Sequence, residues 1–439
     1  MTLIKISEGL VENKIHLHEQ TLEKYNILSP TLTVHFGMIE QKMDIHIDNN
    51  LCLGTILLPK KINAYLEIPS LPYECKFAGE HLYLGPVIGF IPAKHLYAKP
   101  EKLLMRFQQY EKIKGLIFIF LQEEINTNNL TIPGFYFNPD TKTFIKGTFP
   151  YPNAIFSRDY LKTATYQHLS EHIGNKIFNH PFSLDKRTFW KIMNRSPLLS
   201  QHIPQTAALT DYNILFEMIN QFDSIYLKPF NLSRGRGILH IKKGENGSFL
   251  LTNEDSEMKK ISNMEDLIVI LEKQKNQRYL IQQDIPIKIK SQKVDFRVYF
   301  HKNHIGEWIC SGIETKIAKR DSIISNYKNR EKTLSGNEGF QALFHLPPQK
   351  IIDITQYINR LGIHSLQLIE ENNYHLGEAA IDLIIDENLK VWLLEVQINF
   401  AAEKKLARKE GSEAILPDIL TAPLFYAKWL ADLPLNAPE

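Results

Sequence analysis

A basic, glycine-rich segment at residues 225–244 has the residue types of a phosphate-binding loop. A strand-like run brings Lys228 to its end, and Pro229 then stops regular strand hydrogen bonding. Five residues follow in close succession: Ser233, Arg234, Gly235, Arg236 and Gly237. Glycines let backbone N–H groups approach an anion, and the charged side chains neutralise it. We expect a strand–loop–strand hairpin over phosphates, with a basic surface hairpin or a nucleic-acid contact as alternatives.

Two carboxylates and an amide near the C-terminal end form a second candidate site. Residues 377–401 predict a hairpin. With an even-length turn, Asp382 lies opposite Leu393, and Glu395 is its diagonal neighbour on the same face. Gln397 follows two residues later and shares that face. Oxygen ligands of this kind suit a hard cation such as Mg²⁺, whereas the alternative is a polar face in contact with solvent.

A third candidate site is a row of polar side chains in a hairpin predicted over residues 293–317. Asp295, Arg297 and Tyr299 share one face because side chains alternate along a strand. An arginine on such a face suits a phosphate or carboxylate ligand.

The loop that follows, residues 316–332, is strongly basic. It contains six cations: Lys316, Lys319, Arg320, Lys328, Arg330 and Lys332. Asp321 and Glu331 oppose them, which leaves a net charge of +4. A solvated run of charges is the usual explanation for such a composition.

Three regions would position these residues. Residues 1–83 contain alternating runs at 31–40, 42–49 and 52–59, which predict a β-rich domain with a hairpin turn at 48–50.

Residues 84–165 predict a small βαβ domain with a parallel sheet. Buried-strand runs at 85–92 and 116–122 flank a stretch of helical periodicity at 99–116.

Residues 166–439 form the largest region, in which strands alternate with helices. Helices are predicted at 188–205 and 211–223, the second with Asp211 as its N-cap. A helical stretch at 402–433 is expected to break at Pro417 and Pro423. The whole chain is therefore predicted to be an α+β and α/β protein.

The composition excludes several classes of protein. Among 439 residues, 51 Lys and Arg nearly balance 49 Asp and Glu, which gives no reason to expect nucleic-acid or membrane-surface binding. Three scattered cysteines are too few for a disulfide framework. The N-terminal residues lack the apolar run of a signal peptide, and no run approaches membrane-spanning length. We therefore expect a cytoplasmic protein.

Taken in order, these segments resemble the ATP-grasp superfamily, and specifically its YheC/YheD-type, endospore-coat-associated family. The resemblance covers about residues 180–400. The segments that carry it are Asp185-Lys186, residues 203–206, Lys228-Pro229 with residues 233–238, residues 280–286, Asp295 with Arg297, residues 322–326, and Glu395 with Gln397. Each is weak alone, but their order and spacing together are specific.

The resemblance implies an ATP-grasp fold, in which two α+β lobes grip ATP. It also implies that the βαβ domain at residues 84–165 is a pre-ATP-grasp-like domain, which follows the N-terminal β-rich domain. It also implies that Lys186 and Lys228 contact the nucleotide phosphates and that residues 233–237 close over them. The hinge whose backbone meets adenine would consist of Gln282, Gln283, Asp284 and Ile285.

The resemblance further implies which residues bind the metal ion and which lie near the transferred phosphoryl group. The residues at magnesium-ligand positions are Asp382, Glu395 and Gln397. The residues at positions near the transferred phosphoryl group are Arg297, Lys316 and Asn326. Three positions depart from the family pattern: Gln397 replaces Asn, Lys316 replaces Arg, and Asn329-Arg330 replaces a glycine pair.

The leading functional hypothesis is an ATP- and Mg²⁺-dependent ligase that activates a carboxylate as an acyl-phosphate for attack by an amine. The basic loop leads us to expect an acidic small molecule or peptide as the carboxylate substrate. The alternative, favoured by the departures, is a catalytically impaired nucleotide-binding or scaffold partner in a spore-coat assembly. A homo-oligomer and a paralogous ATP-grasp partner are both open, as is association with the spore or its coat.

Overall fold

A computed structural model of the chain describes residues 3–11, 13–63, 65–181, 183–273, 278–285, 292–400, 402–407 and 416–431. The chain divides into two compact units. The first unit comprises Met1–Phe182, Lys302–Glu307 and Pro417–Glu439. The second unit comprises Ser183–His301 and Trp308–Leu416. The finer division into domains at residues 1–83, 84–165 and 166–439 stays a prediction.

The N-terminal part of the first unit is a seven-stranded mixed sheet with the order β1-β5-β2-β4-β3-β9-β8. Nine strands lie in this region, of which two form a separate pair: β1 (Leu3–Ser7), β2 (Lys14–Leu17), β3 (Thr31–Phe36), β4 (Ile39–Ile47), β5 (Thr55–Pro59), β6 (Lys61–Asn63), β7 (Leu66–Glu67), β8 (Glu74–Ala78) and β9 (His81–Gly85). The predicted hairpin at residues 48–50 is wrong, because β2 pairs with both β4 and β5 and separates them. A turn pattern reports only local pairing, so it does not reveal such an insertion.

A six-stranded sheet with the order β13-β12-β11-β10-β14-β15 completes the sheets of the first unit. Its strands are β10 (Val87–Ile91), β11 (Leu116–Ile119), β12 (Thr131–Asn138), β13 (Thr143–Pro150), β14 (Ala154–Ser157) and β15 (Ile177–Phe178). β10 and β11 pair in parallel, as predicted for the two buried-strand runs. The sheet as a whole is mixed rather than parallel, because β12 pairs antiparallel with both β11 and β13.

Most helices of the first unit are short. The helices are α1 (Glu19–Lys24), α2 (Lys94–Tyr97), α3 (Tyr110–Ile113) and α4 (Thr163–Ile173), with 3₁₀ helices at Pro100–Phe107 and Gln122–Glu124 and a helix at Leu416–Leu430. The single helix predicted over 99–116 is therefore a 3₁₀ helix followed by one α-helical turn, and its apolar residues Leu103, Phe107 and Tyr110 are buried. The helix at Leu416–Leu430 continues through Pro423, where a break was predicted. No helix in the described ranges is long and apolar enough to cross a membrane.

The second unit begins with a six-stranded antiparallel sheet, here called sheet I, with the order β16-β21-β17-β18-β19-β20. Its strands are β16 (Thr206–Ala208), β17 (Ser224–Pro229), β18 (Leu239–Lys243), β19 (Phe249–Asn253), β20 (Met258–Ile261) and β21 (Tyr279–Gln283), with a 3₁₀ turn at Glu245–Gly247. The predicted glycine-loop hairpin is confirmed, since β17 and β18 are paired neighbours.

The second unit continues with a five-stranded sheet, here called sheet II, with the order β24-β23-β22-β25-β26. Its strands are β22 (Val294–Lys302), β23 (Trp308–Ala318), β24 (Arg330–Ser335), β25 (Glu378–Ile385) and β26 (Val391–Gln397), and a 3₁₀ turn at Tyr327–Asn329 precedes β24. One face packs against a hydrophobic core that includes Phe300, Leu361 and Leu366.

Several helices of the second unit begin at residues whose side chains cap them. The helices of this unit are α5 (Lys186–Met193), α6 (Pro197–Ser200), α7 (Tyr212–Phe222), α8 (Met264–Glu272), α9 (Gly336–Phe344), α10 (Pro348–Glu370) and α11 (Ala402–Ala407). Asp211 caps α7 as predicted, accepting hydrogen bonds from the backbone N–H groups of residues 213 and 214. The helix predicted over 188–205 is instead split into α5 and α6, because Ser196 caps a new helix that starts at Pro197.

Candidate active site

The candidate site lies on the polar face of sheet II, which strand alternation creates. Along β22, Phe296 and Val298 are buried in the hydrophobic core. The residues that alternate with them lie on the opposite face: Asp295, Arg297 and Tyr299. The predicted grouping of these three side chains is therefore what the structure contains.

On the same face, Asp382 of β25 lies directly opposite Glu395 of β26. The predicted pairing of Asp382 with Leu393 is wrong for two reasons. The turn spans residues 386–390 and is odd in length, and Leu394 is the extra residue of a β-bulge. Each feature moves the register by one residue, so the combined shift of two leaves Glu395 on the predicted face.

The Asp382 carboxylate is the centre of a buried ion cluster. Arg297 donates from Nε to Oδ1 at 2.7 Å and from Nη2 to Oδ2 at 2.6 Å. Lys316 donates to Asp382 Oδ1 at 3.1 Å and to Asp295 Oδ2 at 3.3 Å. Burial alone would raise the pKa of Asp382, but Arg297 and Lys316 together hold it well below its ordinary value. Asp382 is therefore an anion within a fixed positive environment.

Glu395 and Gln397 lie beside this cluster. The side-chain amide of Gln397 donates to Glu395 Oε1 at 2.7 Å. Lys186, in the first turn of α5, lies 3.5 Å from Glu395 Oε2 and also donates to the carbonyl of Leu232 at 2.6 Å. Lys186 thus joins the predicted metal-ligand face to the loop that follows β17.

The oxygen donors at this site fit Mg²⁺. Such an ion would be held by the carboxylates of Asp382 and Glu395 and by the amide oxygen of Gln397. Mg²⁺ usually takes one or two protein carboxylates and completes its coordination with water and substrate phosphates. Within the described part of the chain, no three His, Cys, Asp or Glu side chains form a metal-binding group.

Lys228 extends from β17 of sheet I and is partly buried. Its Nζ donates to Gln282 Oε1 at 2.5 Å, and the amide of Gln282 in turn donates to Thr206 Oγ1 at 3.1 Å. Burial lowers the pKa of Lys228 to about 8; the charge of Glu395 opposes this shift and that of Lys186 adds to it. An anion bound beside Lys228 would therefore favour its protonated form.

The loop between β17 and β18 has the backbone that its glycines allow. Arg234 and Gly235 have φ values of 63° and 79°, and Gly237 has a φ of 68°. A Cβ on Gly235 would lie 2.6 Å from Ile324 Cδ1. At Gly235 the loop therefore lies so close to the segment before β24 that a side chain at this position would clash with Ile324. Ser233, Arg234 and Arg236 are exposed.

Asn326 connects that segment to the glycine loop. Its Nδ2 donates to the carbonyl of Arg234 at 2.8 Å, and its Oδ1 accepts from the backbone N–H of Asn329 at 3.0 Å. Lys328 forms a 2.5 Å ion pair with Asp255 of sheet I's last turn. Asn326, predicted to lie near the phosphoryl group, thus holds the two loops together.

The predicted hinge residues occupy the end of β21. Gln282 is buried against Lys228, and the backbone N–H of Gln283 donates to the carbonyl of Gln205 at 2.8 Å. Ile285 is buried, and the segment that follows it, residues 286–291, lies outside the described residues.

The Asp284 side chain is held by several donors. It accepts from Ser224 at 3.0 Å, His240 at 3.0 Å and Lys293 at 2.6 Å. Burial would raise its pKa, but His240 and Lys293 lower it below the ordinary value. The side chain of Asp284 therefore fixes the end of β21, and its backbone N–H also donates to the carbonyl of Ser224 at 3.2 Å.

Tyr299, Glu314 and Lys405 form a neighbouring cluster that the sequence patterns did not predict. Lys405 donates to Glu314 Oε2 at 2.5 Å and to the Tyr299 hydroxyl at 2.7 Å. Glu314 could have been found, since it precedes Lys316 by two residues on the same strand face. Lys405 had no local indication, because its partners lie far away in the sequence.

The chain is similar to two endospore coat-associated proteins of Bacillus subtilis (strain 168). It is 23% identical to YheD over 411 residues, which are 88% of each chain. It is 19% identical to YheC over 293 residues, which cover 64% of this chain and 80% of YheC.

Among solved structures, the ATP-grasp ligase PsnB with a minimal precursor, Mg and ADP aligns with a TM-score of 0.45 and 9% identity, covering 78% of this chain and 98% of PsnB. The D-alanine-D-alanine ligase from Coxiella burnetii aligns with a TM-score of 0.40 and 10% identity, covering 78% of this chain and 94% of that one.

A family model described as YheC/D like ATP-grasp matches residues 174–430. This match spans sheets I and II with all the predicted site residues, and it confirms both the predicted ATP-grasp fold and the predicted family. Because the match covers more than half of the 439 residues, the chain belongs to the YheC/D-like ATP-grasp family.

Proposed function

We propose that this protein is an ATP- and Mg²⁺-dependent ligase that joins a carboxylate to an amine. The observation that carries the proposal is the convergence of Arg297 and Lys316 on Asp382, directly across the sheet from Glu395. A buried, charge-compensated group of this kind suits a site that handles a highly charged phosphoryl group.

The chemistry follows from the poor reactivity of a carboxylate. A carboxylate oxygen attacks the γ-phosphorus of ATP, the bond to ADP breaks, and an acyl-phosphate forms; an amine then displaces phosphate from the acyl carbon. The side chains of Arg297 and Lys316 neutralise charge on the transferred phosphoryl group. Mg²⁺, when bound, supplies further positive charge at the β- and γ-phosphates.

Nucleotide binding would use the residues that face this site from sheet I and its loops. Lys186 and Lys228 bind phosphate oxygens, and residues 233–237 cover them with backbone N–H groups. The backbone of Gln282–Ile285 receives the adenine. The short contact between Lys228 and Gln282 supports this arrangement, since it holds the lysine ready beside the hinge strand.

The experiment is a measurement of ADP release by purified protein with ATP and Mg²⁺, with and without a panel of carboxylic acids and amines. Acid-dependent ADP release and a new amide in the product mixture are expected. The impaired-scaffold alternative predicts a raised Tm with nucleotide but no acid-dependent release. At about 100 times the Kd, nucleotide stabilises the fold by about 2.7 kcal/mol, which a Tm shift detects easily.

An acidic or peptide carboxylate as the substrate stays a prediction. Four of the loop cations that motivated it have partners within the protein: Lys316 with Asp382, Lys319 with the carbonyl of Lys328, Lys328 with Asp255, and Arg330 with the carbonyl of Ser325. The similarity to YheD and YheC supports spore-coat association as a further part of the proposal.

A further inference from the structure

A second buried polar cluster lies next to the proposed phosphoryl site. Tyr299 belongs to β22, Glu314 to β23 and Lys405 to α11. Besides the two bonds from Lys405, the Tyr299 hydroxyl donates to Glu314 Oε2 at 3.2 Å. The Glu314 side chain is fully buried and that of Lys405 is 11% exposed. Burying these groups is costly unless they are fully paired, so a role beyond packing is worth testing.

The cluster is one step along each strand from the proposed phosphoryl residues. Tyr299 follows Arg297 by two positions on β22, and Glu314 precedes Lys316 by two positions on β23. Two residues along a strand span about 7 Å, and their side chains share one face. A molecule that reacts with a group held by Arg297 and Lys316 would therefore approach within reach of Lys405.

We propose that Lys405, oriented by Tyr299 and Glu314, is the base that takes a proton from the amine nucleophile. This inference rests on the proposed ligase function. The substrate ammonium gives one proton to the neutral Lys405 amine, and its nitrogen then attacks the acyl carbon. The bond from that carbon to the phosphate oxygen breaks, phosphate leaves with the electron pair, and it takes the second proton from nitrogen. Glu314 stabilises the ammonium formed on Lys405.

The charges around Lys405 agree with this role. Burial lowers the pKa of Lys405 to about 8; Glu314 opposes the shift, while Arg297 and Lys316 contribute to it. The Tyr299 hydroxyl is a further ionisable group in direct contact with Lys405. Near pH 8 about half of the Lys405 amines are therefore neutral and able to accept a proton, which is the condition for an efficient base at that pH.

The first test does not depend on turnover. A pH titration of lysine side-chain NMR signals, with Lys405→Arg used to assign the resonance, should give Lys405 a midpoint near pH 8. The exposed Lys260 on β20 serves as the reference lysine in the same titration. Glu314→Gln should lower the Lys405 midpoint further, because it removes the opposing charge. A Lys405 midpoint above pH 10 would overturn the proposal.

The second test compares nucleophiles in wild type, Lys405→Met and Lys260→Met. Hydroxylamine is largely unprotonated at pH 7.5 and needs no base, whereas a primary alkylamine does. Lys405→Met should keep acid-dependent hydroxamate formation within about twofold and lose about 100-fold or more in amide formation. Equal losses with both nucleophiles, or no loss with either, would overturn the base role. If wild type forms no hydroxamate with any acid of the panel, the ligase function itself is wrong and this inference falls with it.

Discussion

Asp382 lies between Arg297 on one neighbouring strand and Glu395 on the other, in direct register with both. Arg297 on β22 therefore neutralises the charge of Asp382. On the other side of β25, the carboxylates of Asp382 and Glu395 face each other. This geometry places the proposed phosphoryl-binding residues and the proposed metal ligands in one row across β22, β25 and β26.

Replacing Asp382 by Asn should damage both activity and stability. Turnover should fall by about 100-fold or more, because the carboxylate that organises the site is lost. Stability should fall by about 3–5 kcal/mol, since the buried Lys316 and the partly buried Arg297 lose the counter-charge that they share. Urea denaturation and ADP release measure the two effects.

Glu395→Gln is the matched control for that experiment. Glu395 contacts Lys186 at 3.5 Å and is more exposed than Asp382, so its replacement should reduce turnover with a much smaller loss of stability. Equal losses of stability in the two variants would contradict the ion cluster described here.

Nucleotide binding at pH 8 should be accompanied by proton uptake. The pKa of Lys228 is about 8, below that of an exposed lysine, so the side chain is half protonated at that pH. Bound phosphates raise this pKa, and the protein should take up about 0.5 proton per nucleotide. Calorimetric titration with ADP in buffers of different ionisation enthalpy measures this number.

The variants Lys228→Arg and Lys228→Ala distinguish the effect of the positive charge at position 228 from the effect of its change in protonation. Arginine stays charged at every accessible pH, so Lys228→Arg should bind ADP without proton uptake. Lys228→Ala should lose most of the nucleotide-induced Tm shift while remaining folded. Unchanged proton uptake in Lys228→Arg would show that another group titrates.

Gly235→Ala should weaken nucleotide binding more than Gly247→Ala. Both glycines have positive φ values, 79° and 73°, so both variants carry a similar backbone penalty. A Cβ on Gly235 would meet Ile324 and Asn326, whereas a Cβ on Gly247 meets nothing within 4 Å. We expect about tenfold weaker ADP binding for Gly235→Ala relative to Gly247→Ala, or about 1.4 kcal/mol. Equal affinities would exclude the glycine loop from nucleotide binding.

The role of Lys328 can be separated from that of its partner. If Lys328 attracts an acidic substrate, Lys328→Gln with Arg330→Gln should raise KM for that substrate and flatten its salt dependence, since screening has less charge to act on. If Lys328 acts through Asp255, Asp255→Asn should reproduce the effect of Lys328→Gln. Steady-state kinetics at several salt concentrations distinguish the two cases.

The parts of the site within single strands were predictable from sequence. The alternation in Asp295, Arg297 and Tyr299 depends only on the two-residue period of a strand, and the hairpin of β17 and β18 joins neighbouring segments. The glycine loop was predicted from its closely spaced glycines and cations, and Arg234, Gly235 and Gly237 in it have positive φ values.

The parts that depend on distant pairing were not predictable. The bulge at Leu394 shifts the register without changing the pattern of polar and apolar residues. The insertion of β2 between β4 and β5 misled the hairpin prediction in the first unit. Lys405 meets Glu314 across 91 residues of sequence, and no local pattern reports such a contact.

The most direct test of the ligase account uses a carboxylic acid labelled with ¹⁸O in its carboxylate, together with ATP, Mg²⁺ and an amine. If the carboxylate is activated as an acyl-phosphate, one of its oxygens must leave with the phosphate when the amide forms. The account therefore predicts one ¹⁸O atom per released phosphate, detected by mass spectrometry. Phosphate that contains no label, released at a rate independent of the acid, would contradict it.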